Sequence, residues 1–311
     1  MTRLRIVIVN WNAGDQLAQC LQSIVLAECS GFDLERVVVV DNASSDDSLE
    51  GIENFPLPLH IIRNDRNRGF AAACNQGAAE CSADYLLFLN PDTRLHADSL
   101  RLPLQFMAAG ANAKVGICGI ALLDETATVA RSCARFPAPS MFYAAMLGLD
   151  RIWPRLGHFM REWDHADTRA VDHVIGAFFL LRHSLFTQLG GFDERFFVYL
   201  EDLDFSLRAR RAGWSSAFLA EASAYHKGGG TSEQVKATRL FYALRSRLLY
   251  VHKHYSTVQA LGLSAATLTI ELPARLALAL LRADGPALGE TLAAYRMLWR
   301  DVPQIWSAAR R

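Results

Sequence analysis

Glu201, Asp202 and Asp204 fall within four residues of one another in FVYLEDLDFSLRARRAGW, residues 197–214, between an aromatic run and a cationic segment. Adjacent carboxylates repel, and apolar surroundings disfavour their charged forms, so one member of such a cluster is suited to accept a proton. General-base chemistry is the functional reading, with one of the three carboxylates as the base. The same residues also suit a capped helix whose acids pair with Arg208, Arg210 and Arg211. What surrounds them in the fold must decide.

Apolar runs at residues 5–9, 36–40, 59–63 and 85–89 read as buried strands, and helix-like segments at 15–28, 44–54 and 70–81 lie between them. That alternation predicts an α/β fold, a mostly parallel mixed sheet flanked by helices. Ligands of such sheets bind beyond the carboxyl ends of the strands, and those ends are polar here. They are Asn10 and Asn12, Asp41 and Asn42, residues 64–67, and Asn90 with Asp92. Any one of them is ordinary turn chemistry. Four at one sheet edge predict a site for a polar ligand of nucleotide size. No GxGxxG follows the first strand, which argues against a dinucleotide-binding oxidoreductase.

Asp41 suits the hydroxyls of a ribose or the polar edge of a base, while Ser44 and Ser45 are expected to cap a helix over 44–54. Arg68-Gly69 opens the small-residue helix that carries Asn75, and amides at such a helix start suit an anion. Asp92 suits a divalent cation through oxygen. In the apolar strand predicted over 174–181, Gly176 permits close approach of a sugar ring. His226, in YHKGGGTS, suits a metal or a phosphate as neutral imidazole, and the glycines after it suggest a loop that closes over a ligand.

Taken together, NWN after the first strand, DNASSDDS, RNRGFAAACNQG, FLNPDT, GAFFLLRHSLFTQLGGFDERFF and YLEDLDFSLRARRAG resemble the family 2 glycosyltransferases, over residues 4–232. The Asn-Pro-Asp variant is similar to bacterial rhamnosyltransferase-like members. The resemblance implies a GT-A (Rossmann-like) fold and transfer of a sugar, with inversion, from a nucleoside diphosphate donor. L-rhamnose from dTDP-rhamnose is the sugar it suggests, and a glycan or lipid-linked molecule of cell-envelope polysaccharide synthesis is the acceptor. It implies that Asp41 reads the nucleoside, that Asp202 is the base and that Glu201 positions a sugar. Asn10, Asn12, Asn42, Arg68, Gly69, Asn75, Asn90 and Gly176 join the donor site. Asp92 matches the last acid of the Asp-x-Asp metal motif, implying Mg2+ or Mn2+ held with His226. Asn90 departs from that motif, so one anionic oxygen is missing. A non-catalytic nucleotide-sugar-binding protein of the same fold is the alternative, and the Glu201-Asp202 pair counts against it.

The 311 residues, 51% hydrophobic, suffice for a sizeable core, and 32 basic against 32 acidic residues provide no global field for nucleic acid. Residues 236–311 hold eleven Lys/Arg against four Asp/Glu. We read 1–235 as the catalytic domain and 236–311 as a basic amphipathic helical tail, with peripheral membrane contact or a homo-oligomer as its partner. Residues 238–255 suit an interfacial helix or one that packs on protein, as does the aromatic stretch 141–163. The uncharged stretch 256–270 ends before Glu271 and falls short of a membrane span. Six cysteines without CxxC spacing, and an N-terminal apolar run too short for a signal peptide, predict a cytoplasmic protein at the inner face of the membrane.

Overall fold

The computed structural model describes residues 1–228 and 235–309. In chain order the strands are β1 (Thr2–Asn10), β2 (Phe32–Asp41), β3 (Leu59–Arg63), β4 (Tyr85–Leu89), β5 (Thr93–Leu95), β6 (Val115–Leu123), β7 (Cys133–Ala134), β8 (Arg169–Val171), β9 (His173–Val174), β10 (Phe178–Arg182) and β11 (Ser215–His226). The helices are α1 (Asp15–Leu26), α2 (Phe70–Gly77), α3 (Arg101–Ala108), α4 (Pro139–Met146), α5 (Leu149–Ile152), α6 (His183–Leu189), α7 (Glu201–Arg211), α8 (Lys236–His254), α9 (Thr257–Ala266), α10 (Leu272–Leu281) and α11 (Gly285–Ala309). The chain divides into two compact units. The first holds residues 1–136, 163–194 and the described part of 201–231; the second holds 137–162, 195–200 and the described part of 232–311.

In the first unit the sheet order is β3-β2-β1-β4-β10-β6-β11-β5, with β8 beside β11. β3, β2, β1 and β4 run parallel, while β10 is antiparallel to both β4 and β6. Residues Leu4 to Asn10 of β1 are all buried, and so are all five of β4. Central strands covered on both faces need apolar side chains in both phases, which is why these strands read as continuous runs.

Two sequence expectations change. No α-helix forms over 44–54; only Ile52–Asn54 closes a 3-10 turn. The reason is competition from side chains: Ser44 N–H and Oγ donate to Asp41, Ser48 Oγ donates to Asp46 at 2.6 Å, and Asp46 accepts from Gly14 N–H at 2.8 Å. The strand expected over 174–181 is broken into β9 and β10, which leaves residues 175–177 as an irregular step at the sheet edge.

In the second unit α8 takes the packing alternative. Leu244, Leu248, Leu249, Tyr250 and Val251 are buried, and two of its arginines, Arg245 and Arg247, turn to carboxylates of the same unit. Arg245 meets Asp301 at 2.7 Å, and Arg247 pairs with Glu271. Glu271, 1% exposed, also accepts from Arg275 at 2.7 Å. With its charge satisfied, the helix passes through Glu271 as a π turn (Thr267–Glu271). A helix of 25 residues, Thr257–Leu281, results, and it is the one helix among the described residues long and apolar enough to cross a membrane by length and composition. The uncharged stretch 256–270 is by itself too short for a span; the helix gains its length by continuing through Glu271, Pro273 and Arg275 to Leu281.

Burial would raise the Glu271 carboxyl, but Arg247 and Arg275 outweigh this and hold it below the ordinary carboxylate range. Its contribution is therefore present above the unfolded carboxylate value and is lost as pH falls through the depressed one. Glu271→Ala leaves Arg247 buried without its counter-charge, and is expected to cost about 3–5 kcal/mol in urea unfolding. An unchanged midpoint would remove this pairing from the stability of the helical unit.

Candidate active site

Strand register gathers the polar ends. Asn10 pairs with Asp41 and Asp41 with Arg63 across β1, β2 and β3. On the other side of β1, Leu89 pairs with Phe178, which brings Asn90 N–H to Ala177 C=O at 3.0 Å. Farther along, His226 pairs with Thr93 where β11 meets β5. Residues distant in sequence thus share one edge because parallel strands all end there.

At the β1–β2 end, Asn10 and Asp41 are buried, and Asn10 Nδ2 donates to Asp41 Oδ1 at 2.8 Å and to Ser48 Oγ at 2.8 Å. Asn10 Oδ1 is buried and has no partner among the described residues. Asn12 adopts φ 50° and accepts from Ser45 N–H at 2.7 Å. Asn42, also buried, donates to Gly69 C=O at 3.2 Å and accepts from Asn64 Nδ2 at 3.0 Å. Gly69 enters α2 at φ 88°, a conformation that a side chain would strain. Arg68 is exposed beside it. Asn75 is engaged within the protein: its Nδ2 donates to Phe192 C=O and Glu194, and its Oδ1 accepts from Phe192 N–H at 2.8 Å.

Asp92 Oδ1 stands 3.4 Å from His226 Nε2. A polar cleft of about 200 Å³ opens beside Asp92, lined also by Gln16, Gln19, Arg94, Glu125, Tyr225 and Lys227. Arg94 covers the Tyr225 ring at 3.8 Å. No group of three or more His, Cys, Asp or Glu able to hold a metal occurs among the described residues. One carboxylate and one imidazole fit a divalent cation that keeps its remaining positions for phosphate oxygens and water. The glycines 229 and 230 of the expected closing loop lie outside the described residues.

The acidic cluster divides in three. Two consecutive non-glycine residues in the left-handed region, Tyr199 (φ 69°) and Leu200 (φ 65°), immediately precede α7 in the chain. Asp204, wholly buried, is held by Arg208 at 2.8 Å, and Arg208 also donates to Leu189 and Gly191 carbonyls, so this pair braces the scaffold. Glu201 is 5% exposed, and its Oε2 has no partner among the described residues. Burial, and then the charge of Asp202, push its carboxyl well above the ordinary range. Asp202 is more accessible and accepts Gly176 N–H at Oδ2 (2.8 Å) and Leu203 N–H at Oδ1 (2.8 Å). Since Ala177 is bonded to Asn90 and Gly176 to Asp202, the broken strand links the acid cluster to the Asn90–Asp92 strand end.

Residues 5–190 match the profile of "Glycosyl transferase family 2". The chain belongs to that family. It is 27% identical over 272 residues to an N-acetylglucosaminyl-diphospho-decaprenol L-rhamnosyltransferase of Mycobacterium tuberculosis, covering 81% of this chain and 85% of the relative. It is 29% identical over 170 residues to the rhamnosyltransferase WbbL of Escherichia coli, covering 54% of this chain and 61% of that protein. Its fold is similar to the mannosyltransferase PcManGT of Pyrobaculum calidifontis, solved with GDP-Man and Mn2+ (TM-score 0.55, 18% identity, 99% of this chain and 85% of that one). It is also similar to S. aureus TarS 1-349 in complex with UDP-GlcNAc (TM-score 0.56, 16% identity, 99% and 87%). The mixed, mostly parallel sheet with flanking and C-terminal helices is the GT-A-like architecture of these neighbours.

In this family 2 chain, sequence reasoning missed His173. It is 4% exposed, with Nδ1 at 3.0 Å from Ser206 Oγ and Nε2 at 3.6 Å from Asp202 Oδ2. Burial lowers its pKa, against the opposing charges of Asp202 and Asp172, so the imidazole is held toward its neutral form. A single His three residues before a Gly carries no periodic signal, and only the break between β9 and β10 turns it to α7. Sequence reads Ser44 as a helix cap and gives Ser48 no role, although the two complete the hydrogen bonds of Asn10 and Asp41.

A Cβ on Gly176 would lie 3.1 Å from Asp202 Oδ2, closer than ordinary contact. Gly176→Ala is therefore expected to displace the carboxylate and lower sugar-transfer turnover by roughly tenfold or more with the fold intact by circular dichroism. Unchanged turnover would show that this N–H does not set the position of Asp202.

Proposed function

We propose that this protein is an inverting hexosyltransferase that moves a sugar from a nucleoside diphosphate donor to a glycan or lipid-linked acceptor. The observation that carries the reading is the accessible Asp202 carboxylate, held by Gly176 N–H one residue from the contact between Ala177 and the Asn90 strand end. In an in-line displacement the acceptor hydroxyl oxygen forms the new bond to the anomeric carbon as its proton passes to Asp202. The anomeric carbon–oxygen bond to the diphosphate breaks on the opposite face, and the electron pair leaves with that oxygen. Glu201, which holds its proton more strongly than an ordinary carboxyl, donates a hydrogen bond to a sugar hydroxyl rather than competing for the proton.

Asp41, with Asn10, Asn12 and Asn42, takes the nucleoside, and Gly69 with Arg68 faces the diphosphate. Asp92 and His226 would hold a Mg2+ or Mn2+ ion, which when bound supplies positive charge to the departing diphosphate. The Mn2+ named with PcManGT supports a cation here. Two relatives named as rhamnosyltransferases support L-rhamnose from dTDP-rhamnose as the donor sugar, and the decaprenol-linked acceptor in one name supports a lipid-linked acceptor in cell-envelope polysaccharide synthesis. A lipid-linked acceptor supports a reaction at the cytoplasmic face of the membrane as part of this reading.

Purified protein, a panel of nucleoside diphosphate sugars and a membrane extract, read by mass spectrometry, test the reading. Asp202→Asn is expected to abolish transfer while donor binding survives; wild-type rates in that variant would sink the base assignment. Asp92→Ala is expected to weaken donor binding by roughly tenfold or more, as chelator does to the wild type. Donor affinity indifferent to both would take Asp92 and the cation out of the site.

A further inference from the structure

Sixteen large apolar side chains stand exposed among the described residues, and all but Met1 and Leu26 belong to the helical unit. They are not scattered there. On α11, Leu292, Trp299 and Trp306 recur at intervals of seven and are 52%, 50% and 43% exposed, with exposed Arg296 and Pro303 between them on the same face. Thr291, Ala294, Tyr295, Leu298 and Ile305 form the buried face, and the stripe runs along its border, with the Trp299 ring edge-on to Tyr295 at 6.2 Å. α11 thus spends one apolar face on its own unit and keeps a row of large apolar side chains half exposed beside it.

The outward face is cationic. Arg296 and Arg300 are both exposed, and the acid nearest them in sequence, Asp301, is 15% exposed and already committed to Arg245. Tryptophan beside arginine, with no exposed carboxylate between Leu292 and Trp306, matches the boundary between acyl chains and anionic head groups, where an indole sits at the head-group level and each arginine gains attraction.

We infer that the Leu292–Trp299–Trp306 face of α11, with Arg296 and Arg300, docks on an anionic bilayer surface. The docking element is therefore α11 rather than α8, whose Arg245 and Arg247 are spent inside the unit, and the proposal stands independently of donor and acceptor chemistry. The lipid surface lies under α11 as an interfacial contact, the tryptophans inserting to head-group depth and the arginines meeting phosphates.

Sedimentation of the full-length protein with phosphatidylcholine vesicles, with and without about a third phosphatidylglycerol, tests this directly. The wild type is expected to bind the anionic vesicles and to release from them as salt rises. Arg296→Glu/Arg300→Glu is expected to lose roughly tenfold or more in binding to the anionic vesicles. Trp299→Ser/Trp306→Ser is expected to lose binding to vesicles of either composition, with unchanged unfolding midpoints confirming that both variants fold. Equal vesicle binding by wild type and both variants would overturn the assignment. So would a wild type that binds no vesicle, including one that elutes as a dimer which the tryptophan substitutions convert to monomer.

Discussion

The hydrogen bond from Gly176 N–H to Asp202 ties the two halves of the site together. The chain crosses from β9, paired with β7 in a separate two-stranded sheet, into β10 through the step at residues 175–177, and there the Gly176 N–H turns toward α7. A continuous strand would have spent the same N–H on a neighbour, as a strand interior requires. The adjacent residue keeps its strand contact, with Ala177 C=O accepting from Asn90 N–H. One broken strand therefore positions a carboxylate relative to the strand ends without any side chain bridging them.

The same arrangement distinguishes two adjacent acids. Glu201 is buried, with one oxygen lacking a partner among the described residues, and lies beside the charge of Asp202, so its proton is retained. Cys74 on α2 feels both carboxylates: burial, then Glu201 and Asp202, push its thiol well up. Asp202 instead has a backbone N–H on each oxygen and a neutral imidazole close by. Burial and hydrogen bonding, not residue type, set the two carboxyls apart.

Charge satisfaction also organises the helical unit. Arg245 and Arg247 look like lipid-facing cations in sequence, yet Asp301 and Glu271 draw them inward. Because those acids are spent there, the exposed face of α11 keeps arginine and tryptophan without a compensating carboxylate. Glu271, paired, also lets one helix run from Thr257 to Leu281.

The continuous apolar runs of β1, β2 and β4 and the polar residues ending them determined by themselves the parallel half of the sheet and the edge where a ligand belongs. Burial on both faces leaves no other pattern, and parallel strands must end together. The family was legible as well, since its motifs occur in order along the chain. Tertiary structure alone decided the rest. Residues 44–54 have the length and the capping serines of a helix, but Asp41, Asp46 and Asn10 claim their hydroxyls and amides. His173 meets Asp202 only because β9 and β10 separate. The inward turn of the α8 arginines required Glu271 and Asp301, 24 and 56 residues further along, to be brought beside them. Local pattern encodes which side chains are apolar and where strands stop; which charges find partners depends on contacts that no short window of sequence contains.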